Sequence, residues 1–218
     1  MPFYFTKISD VGTSNPIVAR LTVGLPDIIK ITTLTEQDKQ QVVDLLFEIS
    51  QELIQAEKCA LEVIQEIQQI ETKISQETMR TSGAQIPQTI ESALSLNRAR
   101  EFLKYSQAAF RKLGRIISVI FKIGNKEHKF WNALEALKKV VDSDAPVIEV
   151  ILYYKPWYQK VMDLRDKDEH DNFLQSFLLN YEIKKGDGFY YLERPRFYDE
   201  TKVCEFLKTS LSMALPFF

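Results

Sequence analysis

The chain has 218 residues, 45% of them hydrophobic, enough to bury a core without disulfides; its two cysteines, Cys59 and Cys204, belong to no CxxC pair or Cys/His cluster, which excludes a disulfide framework and a structural zinc site. With 28 basic against 30 acidic residues, no global field draws the chain to nucleic acid or anionic lipid, so any RNA contact has to be local. No segment approaches the roughly 20 apolar residues that span a bilayer, and the N-terminal MPFYFTKISD has no basic-then-apolar leader pattern, so a cytoplasmic protein without membrane attachment is expected.

Residues 1–34 are rich in β-branched side chains and broken by Gly12, Pro16, Gly24 and Pro26. They read as an arm of short strands or extended chain. Thr35 followed by Asp38 offers side-chain oxygens to free backbone N–H groups, so a helix starts there. Val42, Leu46, Ile49, Leu53, Ala56, Ala60, Val63, Ile67, Ile70 and Ile74 then recur at steps of four and three, a single apolar stripe on a helix running to about Thr81. Ala56 and Ala60 leave room for a partner to approach closely at mid-span.

Thr81–Pro87 forms a turn, with Gly83 free to take positive φ and Pro87 unable to extend the preceding helix. Phe102, Tyr105, Ala109, Leu113, Ile116, Ile120 and Ile123 step by three or four again, so a second long helix returns along the first as an antiparallel hairpin and stops at Gly124-Asn125. The stripe could also serve an intermolecular coiled coil, but pairing within the chain is the simpler account. A third helix is expected over about Lys126–Val141, with Phe130, Leu134, Leu137 and Val141 inward.

Pro146 suits a first helical turn, so 146 to about 180 reads as helix, with Pro156 kinking or restarting it. Asn180-Tyr-Glu-Ile and Phe189-Tyr-Tyr-Leu flank a Gly-rich loop and predict a β-hairpin at about 180–192. Asp199 to about Leu215 reads as a last helix with Val203, Phe206, Leu207 and Leu211 inward, and the apolar Pro216-Phe-Phe is expected to dock on the bundle. The fold class is mainly α: a helical bundle domain over 35–218 built on the long hairpin, preceded by the arm.

No phosphate loop, HExxH or GxSxG motif occurs, and neither a metal nor a small-molecule cofactor is indicated. His128 has no carboxylate or cysteine at ligand spacing and reads as a surface or capping residue. Arg98, Arg100, Lys104 and Arg111, continued by Lys112 and Arg115 and interleaved with Phe102, Tyr105 and Phe110, are candidate nucleic-acid-binding residues, although such aromatics at helical spacing read first as core.

The apolar pattern of Trp157, Val161 and Leu164 is interrupted by eight polar or charged residues before Phe173. Within that gap Arg165, Asp166 and His170 resemble the RxxxxH signature of the HEPN superfamily of helical domains. That resemblance implies metal-independent RNA cleavage, in which the ribose 2′-OH attacks the adjacent phosphate, His170 moves protons and Arg165 stabilises developing negative charge. It implies a symmetric homodimer as well, because one motif supplies one histidine and the chemistry gains from a base and an acid.

The same residues also form a salt-bridged solvated face, with Asp163 and Lys167, Arg165 and Glu169, and Asp166 and His170 at i,i+4 spacing. Residues five apart on an unbroken helix lie about 140° apart, which separates Arg165 from His170. The reading ranked first is therefore a non-catalytic helical interaction or structural protein, dimeric and acting through a protein partner, with a degenerate HEPN-like domain as one form of it. A HEPN-like ribonuclease using Arg165 and His170 is the second.

Overall fold

The computed structural model describes residues 11–80, 93–124, 130–170, 178–179, 182–185 and 190–217; within these, the side chains at 73–80, 93–96, 170, 178–179, 182–185, 190–192 and 214–217 lie outside the description. The chain is mainly α. Helix α3 (Glu36–Arg80) has 45 residues, about 68 Å at 1.5 Å per residue. It begins as the capping residues require: Thr35 Oγ1 accepts from Asp38 N at 3.1 Å and donates to Asp38 Oδ2 at 2.8 Å. Val42, Leu46, Ile49, Leu53, Ala56, Ala60, Val63 and Ile67 of the stripe are buried and packed on α4 (Ala93–Ile120). The connecting turn at 81–92 lies outside the described residues.

Two sequence expectations at helix ends are corrected. Helix α4 stops at Ile120, and the left-handed position belongs to Lys122 (φ 51°) rather than Gly124. Lys122 N reaches Val119 O and Ile123 N reaches Ser118 O, the paired bonds of a Schellman end. The third helix, α5 (Phe130–Leu137), is also shorter than expected: Val140 N and Val141 N turn back to Leu137 O, and residues 125–129 lie outside the description.

The expected extended arm is helical over 16–30. Asn15 caps α1 (Pro16–Val18), its Oδ1 accepting from Ile17 N at 2.8 Å, and Pro16 fills the first turn, where no N–H is needed. A π-helical turn, Ala19–Gly24, leads into α2 (Leu25–Lys30). Its wider ring of hydrogen bonds lies just before Pro26, whose missing N–H would leave a gap in a regular ladder. Burial overrides β-branched propensity here: Ile17, Leu21 and Ile29 are buried against Val42, Leu46 and Ile49 of α3 and Ala109 and Ile116 of α4. Asn15 Nδ2 also donates to Glu57 Oε2 on α3 at 2.8 Å.

Helix α6 (Pro146–His170) runs through Pro156 without a break. Beyond it, β1 (Leu178–Leu179) pairs with β4 (Arg196–Phe197), and β2 (Glu182–Lys185) pairs antiparallel with β3 (Tyr190–Glu193), the hairpin expected near 180–192. Helix α7 starts at Val203, four residues later than read from the sequence, and continues to Phe217. Thus α3, α4, α6 and α7 form a bundle: α4 lies on α3 and α6, and α7 closes the groove between α3 and α6. Phe110 at its centre meets Phe130, Trp157 and Tyr158 with ring centroids 5.8, 5.2 and 4.6 Å away. Among the described residues, no helix is long and apolar enough to cross a membrane.

Candidate functional site

The charged stretch after Leu164 stays helical, so alternate residues are carried to different sides of α6. Arg165 and Asp168, three apart, turn inward, with only 17% and 10% of their side chains exposed. Asp166 is exposed. The His170 side chain is outside the described residues, and its backbone is the last residue of α6.

Asp168 holds two arginines. Its Oδ2 accepts from Arg165 Nη1 at 3.0 Å and its Oδ1 from Arg100 Nε of α4 at 2.6 Å. Arg165 Nη2 also reaches Glu169 Oε1 at 2.6 Å, the i,i+4 pair read from the sequence. Arg165 Nε is buried and finds no hydrogen bond among the described residues. Of the Asp163–Lys167 pair, Asp163 accepts from Gln159 Nε2 at 2.8 Å and Lys167 lies 5.5 Å above the Tyr198 ring; the Asp166–His170 pair rests on a side chain outside the described residues.

The basic residues of α4 divide in the same way. Arg98 Nε bonds Glu62 Oε2 of α3 at 2.7 Å, and its Nη1 bonds Glu101 Oε2 at 2.5 Å. Lys112 bridges to Glu52 at 2.6 Å and Glu48 at 3.5 Å. Lys104, Arg111 and Arg115 are exposed, whereas Phe102 and Phe110 are core and Tyr105 is half-buried. Of the candidates, Arg100 and Arg165 are thus brought together, through Asp168; Arg98 and Arg111 serve different faces.

Around Arg98 lies a cluster that sequence spacing does not reveal. Cys59, buried on α3, donates from Sγ to Glu101 Oε2 at 3.6 Å. Burial, and then the Glu101 carboxylate, push its thiol up to about 11, which keeps it protonated and unreactive at neutral pH. The hydrogen bond from Arg98 is the main cause holding Glu101 below the usual carboxylate range.

A further polar pair sits in the bundle core, in a cleft lined by Glu57, Phe102, Ser106, Phe110, Trp157 and Ser210. Trp157 Nε1 donates to Ser210 Oγ at 3.0 Å. Among the described residues, no three His, Cys, Asp or Glu side chains are grouped to hold a metal ion. Compared with known protein families, curated proteins and solved structures, the chain matches none.

Proposed function

We propose that this chain is a non-catalytic helical interaction protein that works as a homodimer. The observation that carries the non-catalytic part is the state of Arg165. A guanidinium that stabilises a developing phosphate charge has to present free N–H donors to it. Here each terminal nitrogen is already bonded to a carboxylate, Asp168 or Glu169, which together offset the guanidinium charge; the remaining Nε–H is buried, and Asp168 is held in turn by Arg100.

Asp163 and Asp166, both exposed on the same helix, add negative charge where a phosphate backbone would approach. The likeness of Arg165, Asp166 and His170 to the HEPN signature then belongs to a domain without cleavage chemistry. The work of the ion pairs is structural, fixing α6 against α4 so that the bundle presents constant outer faces to a partner.

The test is incubation of wild type, Arg165→Ala and His170→Ala with mixed single-stranded RNA in EDTA, with mass measured by light scattering. No cleavage by wild type and a dimeric mass are expected. Metal-independent cleavage that is lost in both variants, with the oligomer intact, would overturn the proposal in favour of the HEPN-like ribonuclease.

A further inference from the structure

The N-terminal half of α6 is apolar on two faces, and the bundle covers one. Before Pro156 the buried residues are Ile148 and Ile151, with Tyr154 half-buried; after it they are Trp157, Tyr158, Val161 and Leu164, as the inward face turns towards α7. Left outside are Glu149, Val150 (49% exposed), Leu152 (42%) and Tyr153 (68%). Single exposed apolar residues are ordinary, but three within four positions of one helix are a face.

At about 100° per residue, Glu149 and Tyr153 lie one turn apart, separated by about 40°, in the middle of this face. Val150 stands about 80° to one side of the midline and Leu152 about 80° to the other. The pattern is symmetric about the level of residue 151. A two-fold axis there, bringing a second α6 alongside antiparallel, sets each Glu149 opposite the second copy's Tyr153. The same operation brings Val150 towards Val150 on one flank and Leu152 towards Leu152 on the other. Each carboxylate thereby meets a phenol O–H donor, twice over, which is the reciprocity a two-fold interface demands.

We infer that this face of α6, Glu149, Val150, Leu152 and Tyr153, is the interface between two copies of the chain. The inference rests on the homodimer reading above and adds its surface and register. A second copy is the occupant because the face complements itself: an acceptor and a donor at mirror positions, each flanked by an aliphatic residue. One helix face buries less than the roughly 800 Å² per partner of a standard interface, so association in the micromolar range is expected.

The experiment is sedimentation velocity of the full chain from about 1 to 200 μM, with far-UV circular dichroism to confirm that exposed substitutions leave the fold intact. Tyr153→Glu puts carboxylate against Glu149 and is expected to raise the dimer Kd at least about tenfold. Adding Glu149→Lys to Tyr153→Glu replaces both repulsions with ion pairs and is expected to restore the dimer. A dimer that survives Tyr153→Glu, or one that the double variant fails to restore, overturns the assigned face or register and leaves the homodimer standing. A wild type that stays monomeric throughout overturns the homodimer reading along with it.

Discussion

Arg100 Nε of α4 donates to Asp168 Oδ1 of α6 at 2.6 Å, joining residues 68 apart in the chain. Asp168 is the hub of this connection, because it also receives Arg165 and is the least exposed of the three, at 10% against 17% for Arg165 and 47% for Arg100. Removing Asp168 leaves the largely buried Arg165 balanced among the described residues by the more exposed Glu169 alone, and breaking a buried pair by taking away one partner costs more than the pair itself contributes.

Asp168→Ala is therefore expected to be the most damaging change in the network, destabilising by about 2–3 kcal/mol. Arg100→Gln, at a half-exposed position, is expected to cost less than about 1 kcal/mol. Arg165→Met falls between, since it keeps the stem packed and leaves Asp168 with Arg100. Urea unfolding of the three variants checks the order; equal losses for Arg100→Gln and Asp168→Ala would remove Asp168 from the centre.

Much of this was legible in the sequence, and the failures have physical causes. The alternating steps from Val42 onwards identify α3 because one long stripe leaves few other ways to bury ten apolar residues. The helix at 16–30 escaped because Ile17, Leu21, Leu25 and Ile29 do repeat every four residues, but β-branched propensity and two prolines outweighed that signal. Asn15, a capping residue directly before Pro16, was the decisive sign.

At the candidate site the sequence supplied the Arg165–Glu169 pair, which is local. The Arg100–Asp168 and Cys59–Glu101 contacts depend on the axial register between helices. The eight polar residues after Leu164 allow either a helix end or a continued helix that points Asp168 inward, and the second holds: Asp168 follows Leu164 by four and so continues its buried face.

The two core serines are expected to respond in opposite directions. Ser210→Ala leaves the buried Trp157 Nε1 without its acceptor and should cost about 1–2 kcal/mol. Ser106, 4% exposed, lines the same cleft. Ser106→Ala should be neutral or stabilise by up to about 1 kcal/mol, as a better helix former that buries no hydroxyl. Denaturation midpoints at equal slope decide it; a loss at Ser106 as large as at Ser210 would mean that its hydroxyl is engaged.

Cys59 should resist thiol reagents. With its thiol pushed up to about 11 and its side chain buried, a disulfide reagent at pH 8 should modify it only as fast as the bundle opens, and at once in denaturant. The raised value contributes stability that is fully present below the unfolded thiol's value, near 8.5, and lost as pH rises through about 11. Glu101 runs the other way: held low by Arg98, it contributes above the usual carboxylate value and loses that contribution as pH falls through its own. Glu101→Gln should therefore flatten the acid side of the stability profile and speed Cys59 modification at high pH. Thermal midpoints from pH 3 to 11 and thiol kinetics test both arms.

The end of α4 gives the last prediction. Lys122 takes φ 51°, where a side chain bearing Cβ costs about 1–2 kcal/mol and glycine costs nothing sterically. The two bonds that close the helix, Lys122 N to Val119 O and Ile123 N to Ser118 O, depend on that conformation and not on the lysine. Lys122→Gly keeps them and removes the strain, against the greater freedom glycine gives the unfolded chain, so a net gain of about 0.5–1 kcal/mol is expected. Lys122→Ala retains Cβ and should gain nothing. Lys122→Val adds β-branching at positive φ and should lose stability. If glycine and alanine behave alike in urea unfolding, the strain at this helix end is absent and the helix stops for another reason.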